Sequence, residues 1–174
     1  AMPSAVAREP RLRFVWIGDG AQRSRYEREL VRLGLRYRVT LAGLVRPEQA
    51  ASMVSGFDML LHASRWEGLP RAVVQGLLAE VPAISFDNDG APEVVLPERT
   101  GILVRFGDVG GLSDAMAALA RDAQRRRELG RYGRAHCLDL YDWRRMVDEI
   151  ERLYRRIGKQ AGHGGAGADR GFQI

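Results

Sequence analysis

Short apolar runs alternate along the chain with longer stretches in which apolar residues recur at helical spacing. The runs that predict strands lie at 12–17, 39–42, 59–61 and 83–86. The amphipathic stretches that separate them lie at 23–33, 48–55 and 70–80. Alternating strands and helices are typical of βαβ units, whose crossovers are right-handed. The pattern therefore predicts an α/β, Rossmann-like fold: a parallel sheet flanked by helices.

The C-terminal third of the chain follows a different pattern. One short strand is predicted near 102–104, and three helices without intervening strands are predicted at 109–121, 124–137 and 143–157. Residues 158–174 are rich in glycine and have no periodicity, which is typical of a flexible tail. The domain is expected to end in helices at residue 157 and to be followed by this tail.

The segment 60–83 combines an apolar run, a polar loop and a helix that is predicted to start at Pro70. A proline suits the first helical turn, because its missing N–H would have been unpaired there. The free N–H groups of that turn attract anions, and phosphate above all. Glu67 precedes these donors and is suited to accept hydrogen bonds from hydroxyl groups. A phosphate beside hydroxyls describes a nucleotide sugar.

This segment resembles the donor-binding half of retaining GT-B glycosyltransferases, in particular glycosyltransferase family 4. The family signature is Glu-x7-Glu in a Ser-x-x-Glu-Gly context, and Ser64, Glu67 and Gly68 match it. Gln75 stands where the second acid is expected. The resemblance covers about residues 12–157, with further matches at Gly18-Asp19-Gly20, Gly43-Leu44-Val45, Val81-Pro82, residues 90–95, residues 100–104 and a closing helical region with Tyr141, Trp143 and Tyr154.

The resemblance implies a glycosyltransferase of hexosyltransferase type, active in glycan biosynthesis with a nucleoside-diphosphate sugar as donor. Glu67 would bind the donor sugar, and retaining transfer would need no protein nucleophile and no metal. Glu93 has two open roles, one beside the donor and one as a first-turn acid that suits the helix dipole. The implied donor-binding residues are Gly68, Leu69 and Pro70 at the diphosphate, Gln75 at the ribose, Gly43, Leu44, Val45 and Arg46 at the base, and Gly20 and Glu93 beside the cleft.

The resemblance also implies that the chain is the C-terminal half of a GT-B fold. Residues 1–11 look like the remnant of an upstream helix or linker, and residues 12–157 like the nucleotide-sugar-binding domain. An N-terminal acceptor-binding domain, and the Arg and Lys that clamp the diphosphate, would lie upstream of Ala1. The fragment alone is therefore expected to be inactive.

Charge and composition narrow the cellular context. The 174 residues carry a net charge of +5 and a single cysteine, Cys137, which excludes an internal disulfide. The basic residues crowd the C-terminal helices among interspersed acids, which is typical of a solvated helical face and predicts no nucleic-acid partner. Peripheral contact of these helices with anionic lipid is the alternative. The chain is expected to be soluble and cytoplasmic, or to lie at the inner face of the membrane.

Other functions stay open at this point. Gly18-Asp19-Gly20 is a partial dinucleotide fingerprint, although Arg23 replaces its third glycine, so a plain turn is favoured over an NAD site. Asp87 and Asp89 form an Asp-x-Asp after an apolar run, the metal motif of GT-A glycosyltransferases, but both are also ordinary turn residues. A non-catalytic Rossmann-like binding module is the remaining alternative.

Overall fold

The structure is a computed structural model that describes residues 1–163, with side chains to residue 158. The chain divides into two compact units, residues 1–137 and 138–174. The strands are β1 Phe14–Ile17, β2 Val39–Gly43, β3 Leu60–His62, β4 Ala83–Asp87 and β5 Gly101–Arg105. The helices are α1 Met2–Arg8, α2 Arg23–Arg32, α3 Pro47–Val54, α4 Arg71–Leu78, α5 Ala91–Val94, α6 Val109–Arg121, α7 Ala123–Leu140 and α8 Trp143–His163.

All strand pairs of the first unit are parallel, which confirms the Rossmann-like α/β prediction. Strand β1 pairs with β2, with Phe14 opposite Val39. Strand β4 lies between β3 and β5, with Ala83 opposite Leu60 on one side and Gly101 on the other. The hydrogen bonding thus forms a two-stranded sheet and a three-stranded sheet, where the sequence predicted one sheet. The carboxyl ends of paired parallel strands lie at one edge, where ligands bind in this class of fold.

The core of the first unit is built around β4, whose residues are buried on both faces up to Phe86. A central strand of a parallel sheet needs this continuous apolar character, because helices cover both faces. Helix α4 contributes Val73 and Leu77, both fully buried. The main cluster joins this strand to β5, α1, α6 and α7 through Ala5, Leu12, Ile84, Phe86, Val104, Leu112, Ala115, Met116, Leu119 and Leu129.

Helix α4 ends earlier than the predicted residue 80. Glu80 adopts a left-handed conformation, with φ at 61°. The N–H of Val81 donates to the carbonyl of Gly76 at 2.9 Å, and that of Glu80 to Leu77 at 2.9 Å. This is the Schellman pairing, which satisfies the last helical carbonyls when the residue after the cap is left-handed. Helix α7 packs against this end so closely that a Cβ at Gly130 would lie 1.9 Å from the Glu80 carbonyl oxygen.

Several arginines of the C-terminal helices bind within the first unit. Arg126 forms an ion pair with Asp58 at 2.9 Å and donates to the carbonyl of Ala120 at 2.9 Å. Arg134 donates to the carbonyl of Leu78, and Arg121 donates to that of Arg8. These side chains connect neighbouring elements, so part of the arginine-rich surface is structural.

The second unit contains helix α8, which continues to His163 and so extends past residue 158, the expected start of the tail. The remainder of the expected tail, 164–174, lies outside the described residues. Asp142 accepts a hydrogen bond from the Arg144 N–H at 2.8 Å, which caps the helix start. Among the residues that the structure describes, no helix is long and apolar enough to cross a membrane. One face of α8 exposes Trp143, Met146, Val147, Ile150, Leu153, Tyr154 and Ile157.

Candidate functional site

The loop between β3 and α4, residues 63–70, carries the predicted centre of the site. Pro70 lies at the N-cap, one position before the helical turn in which the sequence placed it. Its carbonyl accepts hydrogen bonds from the N–H groups of Val73 and Val74 at 2.9 and 3.1 Å, so the helix begins at Arg71. The N–H groups that precede these two have no acceptor within the helix, because the first turn lacks preceding carbonyls. The exposed Arg71 adds positive charge at this end.

Glu67 lies in this loop, and its side chain is 34% exposed. One carboxylate oxygen, Oε2, is 3.6 Å from Nε2 of His62, the last residue of β3. The other ring nitrogen of His62 lies 3.4 Å from Oγ of Ser85, whose hydroxyl donates to the carbonyl of Phe86 at 3.2 Å. The Ser85 hydroxyl lies between the Phe86 carbonyl and Nδ1 of His62. A buried strand residue thus orients the ring beside Glu67.

The turn that follows β4, residues 88–90, forms hydrogen bonds to the backbone of the loop that carries Glu67. The Glu67 N–H donates to Oδ2 of Asp89 at 3.0 Å, and the Glu67 carbonyl accepts from the Gly90 N–H at 3.2 Å. The side-chain amide of Asn88 donates to the carbonyl of Arg65 at 3.1 Å. The contact excludes any side chain at Gly90, where a Cβ would lie 1.7 Å from the Gly68 carbonyl oxygen. Loop and turn form one hydrogen-bonded unit.

The role of Asp89 differs from both sequence interpretations of the Asp-x-Asp pair. Its carboxylate accepts a backbone hydrogen bond from another loop, where the sequence suggested either a metal ligand or a local turn contact. Within the part of the chain that the structure describes, no group of three or more His, Cys, Asp or Glu residues could hold a metal ion. The role that the geometry gives to the Asp89 side chain is therefore its hydrogen bond to the loop that carries Glu67.

A second group of predicted residues lies at the carboxyl ends of β1 and β2. The Gly18 N–H donates to the carbonyl of Gly43 at 2.9 Å, and Gly43 has a φ of 72°, which favours glycine. Gly20 is exposed, and its N–H donates to Oδ1 of Asp19 at 2.8 Å. That carboxylate also pairs with Arg23 at 3.2 Å, so the partial fingerprint forms a salt-bridged turn.

Residues 44–46 continue from β2 to the start of α3. Leu44 is exposed, Val45 is half-buried, and Arg46 occupies the N-cap of α3. The Arg46 N–H donates to Oε1 of Gln49 at 3.2 Å, which stabilises the first turn. The exposed apolar side chain of Leu44, between the end of β2 and the start of α3, suits contact with a flat apolar surface such as a nucleobase.

Gln75 and Glu93 lie on different helices and are both exposed. Gln75 belongs to the second turn of α4, and Glu93 to the first turn of α5, which Pro92 opens. The backbone carbonyl of Glu93 lies 3.3 Å from Nε2 of His136. The short α5 starts directly after the turn that holds the Glu67 loop, so Glu93 follows the site along the chain.

Sequence reasoning missed the residues that arrange Glu67: His62, Ser85, Asn88 and Asp89. The sequence interpretation of Asp89 covered only a metal ligand and a turn residue. The available signal was positional, since His62 ends β3 and Asp89 follows β4, so both lie at the carboxyl edge of neighbouring parallel strands. Trp66 was also missed as a surface feature, and it is 79% exposed beside Glu67.

The arrangement combines an acceptor for hydroxyls with donors for an anion. Glu67 precedes a helix N-terminus, where the helix dipole favours negative charge. Its carboxylate lies 3.6 Å from Nε2 of His62 at the end of β3, and the N–H groups at the start of α4 can face another anion. The site can therefore bind a ligand that carries both a phosphate and a hydroxylated group.

Comparison with known proteins agrees with this chemistry. The family model of "Glycosyl transferases group 1" matches residues 1–136. A GDP-mannose-dependent monoacylated α-(1-6)-phosphatidylinositol monomannoside mannosyltransferase of Corynebacterium glutamicum is 29% identical over 162 residues, which are 88% of this chain and 41% of that protein. A GDP-mannose-dependent α-mannosyltransferase of Mycobacterium tuberculosis is 32% identical over 126 residues, or 70% of this chain and 31% of that protein.

Solved structures agree on the fold. Sucrose-phosphate synthase from Thermosynechococcus elongatus superposes with a TM-score of 0.83 and 26% identity, covering 91% of this chain and 42% of that one. HepE from Anabaena, solved in complex with UDP-glucose, superposes with a TM-score of 0.80 and 22% identity over 88% of this chain and 44% of that one. The chain thus spans less than half the length of these relatives. With a family match over residues 1–136 and this parallel α/β fold, the chain belongs to the glycosyl transferases group 1 family.

Proposed function

We propose that this chain is the donor-binding domain of a retaining glycosyltransferase that transfers a sugar from a nucleoside-diphosphate sugar. The observation that carries the proposal is the position of Glu67, held directly before the N-terminus of α4 at the carboxyl edge of parallel strands. The names of two curated relatives state GDP-mannose as donor, and one structural neighbour holds UDP-glucose. These relatives support the substrate class and leave the base and sugar open.

Each part of the donor is assigned to a different group of residues. The diphosphate lies against the N–H groups at the start of α4, beside Gly68 and Leu69. The sugar hydroxyls donate to Glu67, and the ribose contacts Gln75 one turn further along the helix. The base lies at 43–46, and Gly20 and Glu93 border the cleft. The proposal requires no resident metal, since N–H dipoles and arginines stabilise the phosphate charge.

The transfer exchanges one bond at the anomeric carbon for another. The bond from that carbon to the diphosphate oxygen breaks, and a bond to the acceptor hydroxyl oxygen forms on the same face of the sugar. The hydroxyl proton leaves with the diphosphate, so the nucleoside diphosphate and the glycoside are the products. The contribution of this chain is to position the donor and to stabilise the leaving group.

The division into two sheets supports a further strand between β1 and β3 in the complete protein. The doubly wound order is 3-2-1-4-5-6, so removal of the first strand leaves a pair beside a triple. The order observed here, β1-β2 and β3-β4-β5, has that form. We assign the absent strand, the diphosphate-clamping Arg and Lys and the acceptor-binding domain to an upstream segment. The fragment is accordingly expected to transfer no sugar by itself.

Calorimetry of the 174-residue chain with UDP and GDP tests the proposal, with NAD⁺ as the control ligand. We expect one of the two nucleoside diphosphates to bind and NAD⁺ to show no binding. The absence of binding by both diphosphates at millimolar concentration, in this chain and in one extended upstream to include the clamping residues, would favour the non-catalytic module. Binding of NAD⁺ alone would favour an oxidoreductase. Glycoside formation by the 174-residue chain would contradict the expected need for an upstream domain.

A further inference from the structure

We propose that Asp89 is a positioning residue for the donor site: its carboxylate holds the backbone of the loop that presents Glu67 to the sugar. This inference rests on the proposed function, because it assigns a purpose to the position of Glu67. It concerns a side chain that lies outside the residues assigned to the donor.

The contact joins Asp89 to the loop that carries Glu67. Oδ2 of Asp89 accepts the Glu67 N–H at 3.0 Å, across 22 positions of sequence. Without this acceptor, the N–H of Glu67 would turn to solvent, and the bonds from Gly90 and Asn88 would remain to join the loop to the turn after β4. A hydrogen bond at the backbone of Glu67 fixes the direction in which its side chain leaves the loop. Asp89 therefore acts through Glu67 and touches no substrate.

The backbone conformation of Asp89 favours glycine, so the contact with Glu67 gives its side chain a purpose. Asp89 has a φ of 47°, in the left-handed region where glycine carries no steric cost. Local packing alone would be served at least as well by glycine at this position. An aspartate at this position carries some backbone strain, and its carboxylate provides a hydrogen-bond acceptor for the neighbouring loop.

Three variants of the 174-residue chain separate this role from the alternatives. Asp89→Gly removes the acceptor and relieves the left-handed backbone. Asp89→Asn keeps an acceptor oxygen and removes the charge. The control Glu98→Gly makes the same change from acid to glycine at another left-handed residue, whose φ is 60°. Glu98 forms an ion pair with Arg125 and lies outside both the Glu67 loop and the turn after β4. Binding of UDP, GDP and the matching nucleotide sugars is measured with and without EDTA, together with exchange of the Glu67 amide proton and the melting temperature.

We expect Asp89→Gly to weaken binding of the nucleotide sugar about fivefold, the effect of one lost hydrogen bond, to leave diphosphate binding within about twofold, and to speed exchange of the Glu67 amide. Its melting temperature should not fall. Asp89→Asn and Glu98→Gly should bind within about twofold of the parent chain, because one keeps the acceptor and the other lies elsewhere.

Three results would overturn the inference. Unchanged affinity for the nucleotide sugar and unchanged amide exchange in Asp89→Gly would show that the contact does not position Glu67. Equal losses in Asp89→Gly and Asp89→Asn, together with binding that EDTA abolishes, would show that Asp89 ligates a divalent cation. If neither the parent chain nor a chain extended upstream to include the clamping residues binds a diphosphate, the donor assignment fails and the positioning role fails with it. Faster Glu67 amide exchange in Asp89→Gly would then report a structural contact alone.

Discussion

Neutralisation of Glu67 provides the sharpest test of the donor site, because the structure separates its side chain from its backbone contacts. In Glu67→Gln the bonds of its N–H to Asp89 and of its carbonyl to Gly90 are unchanged. The side chain keeps its size and loses only its charge. The loop should therefore hold its conformation while the interaction with sugar hydroxyls weakens.

The expected magnitude follows from the hydrogen bonds involved. Bonds to a charged group contribute about 1.5–3 kcal/mol, against about 0.5–1.5 kcal/mol for neutral pairs. The difference of about 1–1.5 kcal/mol corresponds to a five- to tenfold loss of affinity, since 1.4 kcal/mol is about tenfold. The fold should lose less than about 1 kcal/mol, because the contact with His62 is 3.6 Å long and partly exposed.

The assay compares two ligands on the same variant. Affinities for a nucleoside diphosphate and for the matching nucleotide sugar are measured by calorimetry on the parent chain, on Glu67→Gln and on the control Glu128→Gln in α7. We expect Glu67→Gln to lose affinity for the nucleotide sugar and to keep its affinity for the diphosphate. Equal weakening of both ligands, or a large fall in melting temperature, would refute the assignment of Glu67 to the sugar.

Three further predictions concern the ribose contact, acid stability and helix packing. Gln75→Glu should tighten diphosphate binding a few-fold in calorimetry, since a charged acceptor gains about 1 kcal/mol over an amide. Weaker or unchanged binding would contradict the placement of the ribose beside α4. Hydrogen bonds from Arg11 lower the pKa of Glu9 from 4.5 to about 2, so Glu9 contributes stability above pH 4.5 that is lost as the pH falls toward 2. Glu9→Gln should accordingly flatten the acid denaturation profile, and an unchanged profile would contradict this linkage. Gly130→Ala should lower the free energy of unfolding by about 2 kcal/mol in urea titration, because its Cβ would meet the Glu80 carbonyl. The control is Gly158→Ala, whose Cβ would meet no atom within 4 Å and which should not destabilise the fold.

The secondary structure of the first unit was largely predictable from the sequence. Short apolar runs and amphipathic stretches depend on local periodicity, so the strands near 14–17 and 83–87 and helix α6 were found within a few residues. Most errors lay at element ends. Helix α4 was predicted to reach residue 80, and the Schellman pairing at Glu80 ends it sooner. Such an end depends on a left-handed backbone that the sequence signals poorly without a glycine.

The site was only partly predictable. Glu67 and the start of α4 could be predicted, because a strand, a polar loop and a helix in succession determine where an anion is attracted. The pairing of strands into two sheets was not, since hydrogen bonding between strands depends on which neighbours are present. The sequence also suggested a metal motif at Asp87 and Asp89, and nothing local distinguishes such a pair from a backbone acceptor.

The sequence by itself determined the family, the order of the elements and the acid that we assign to the donor, because each depends on residues close together in the chain. Only the tertiary structure decided how that acid is held. His62, Asp89 and Glu67 meet because β3 and β4 are parallel neighbours, so their carboxyl ends lie at one sheet edge. Contacts across 22 positions of sequence arise from that pairing, and no local pattern contains them.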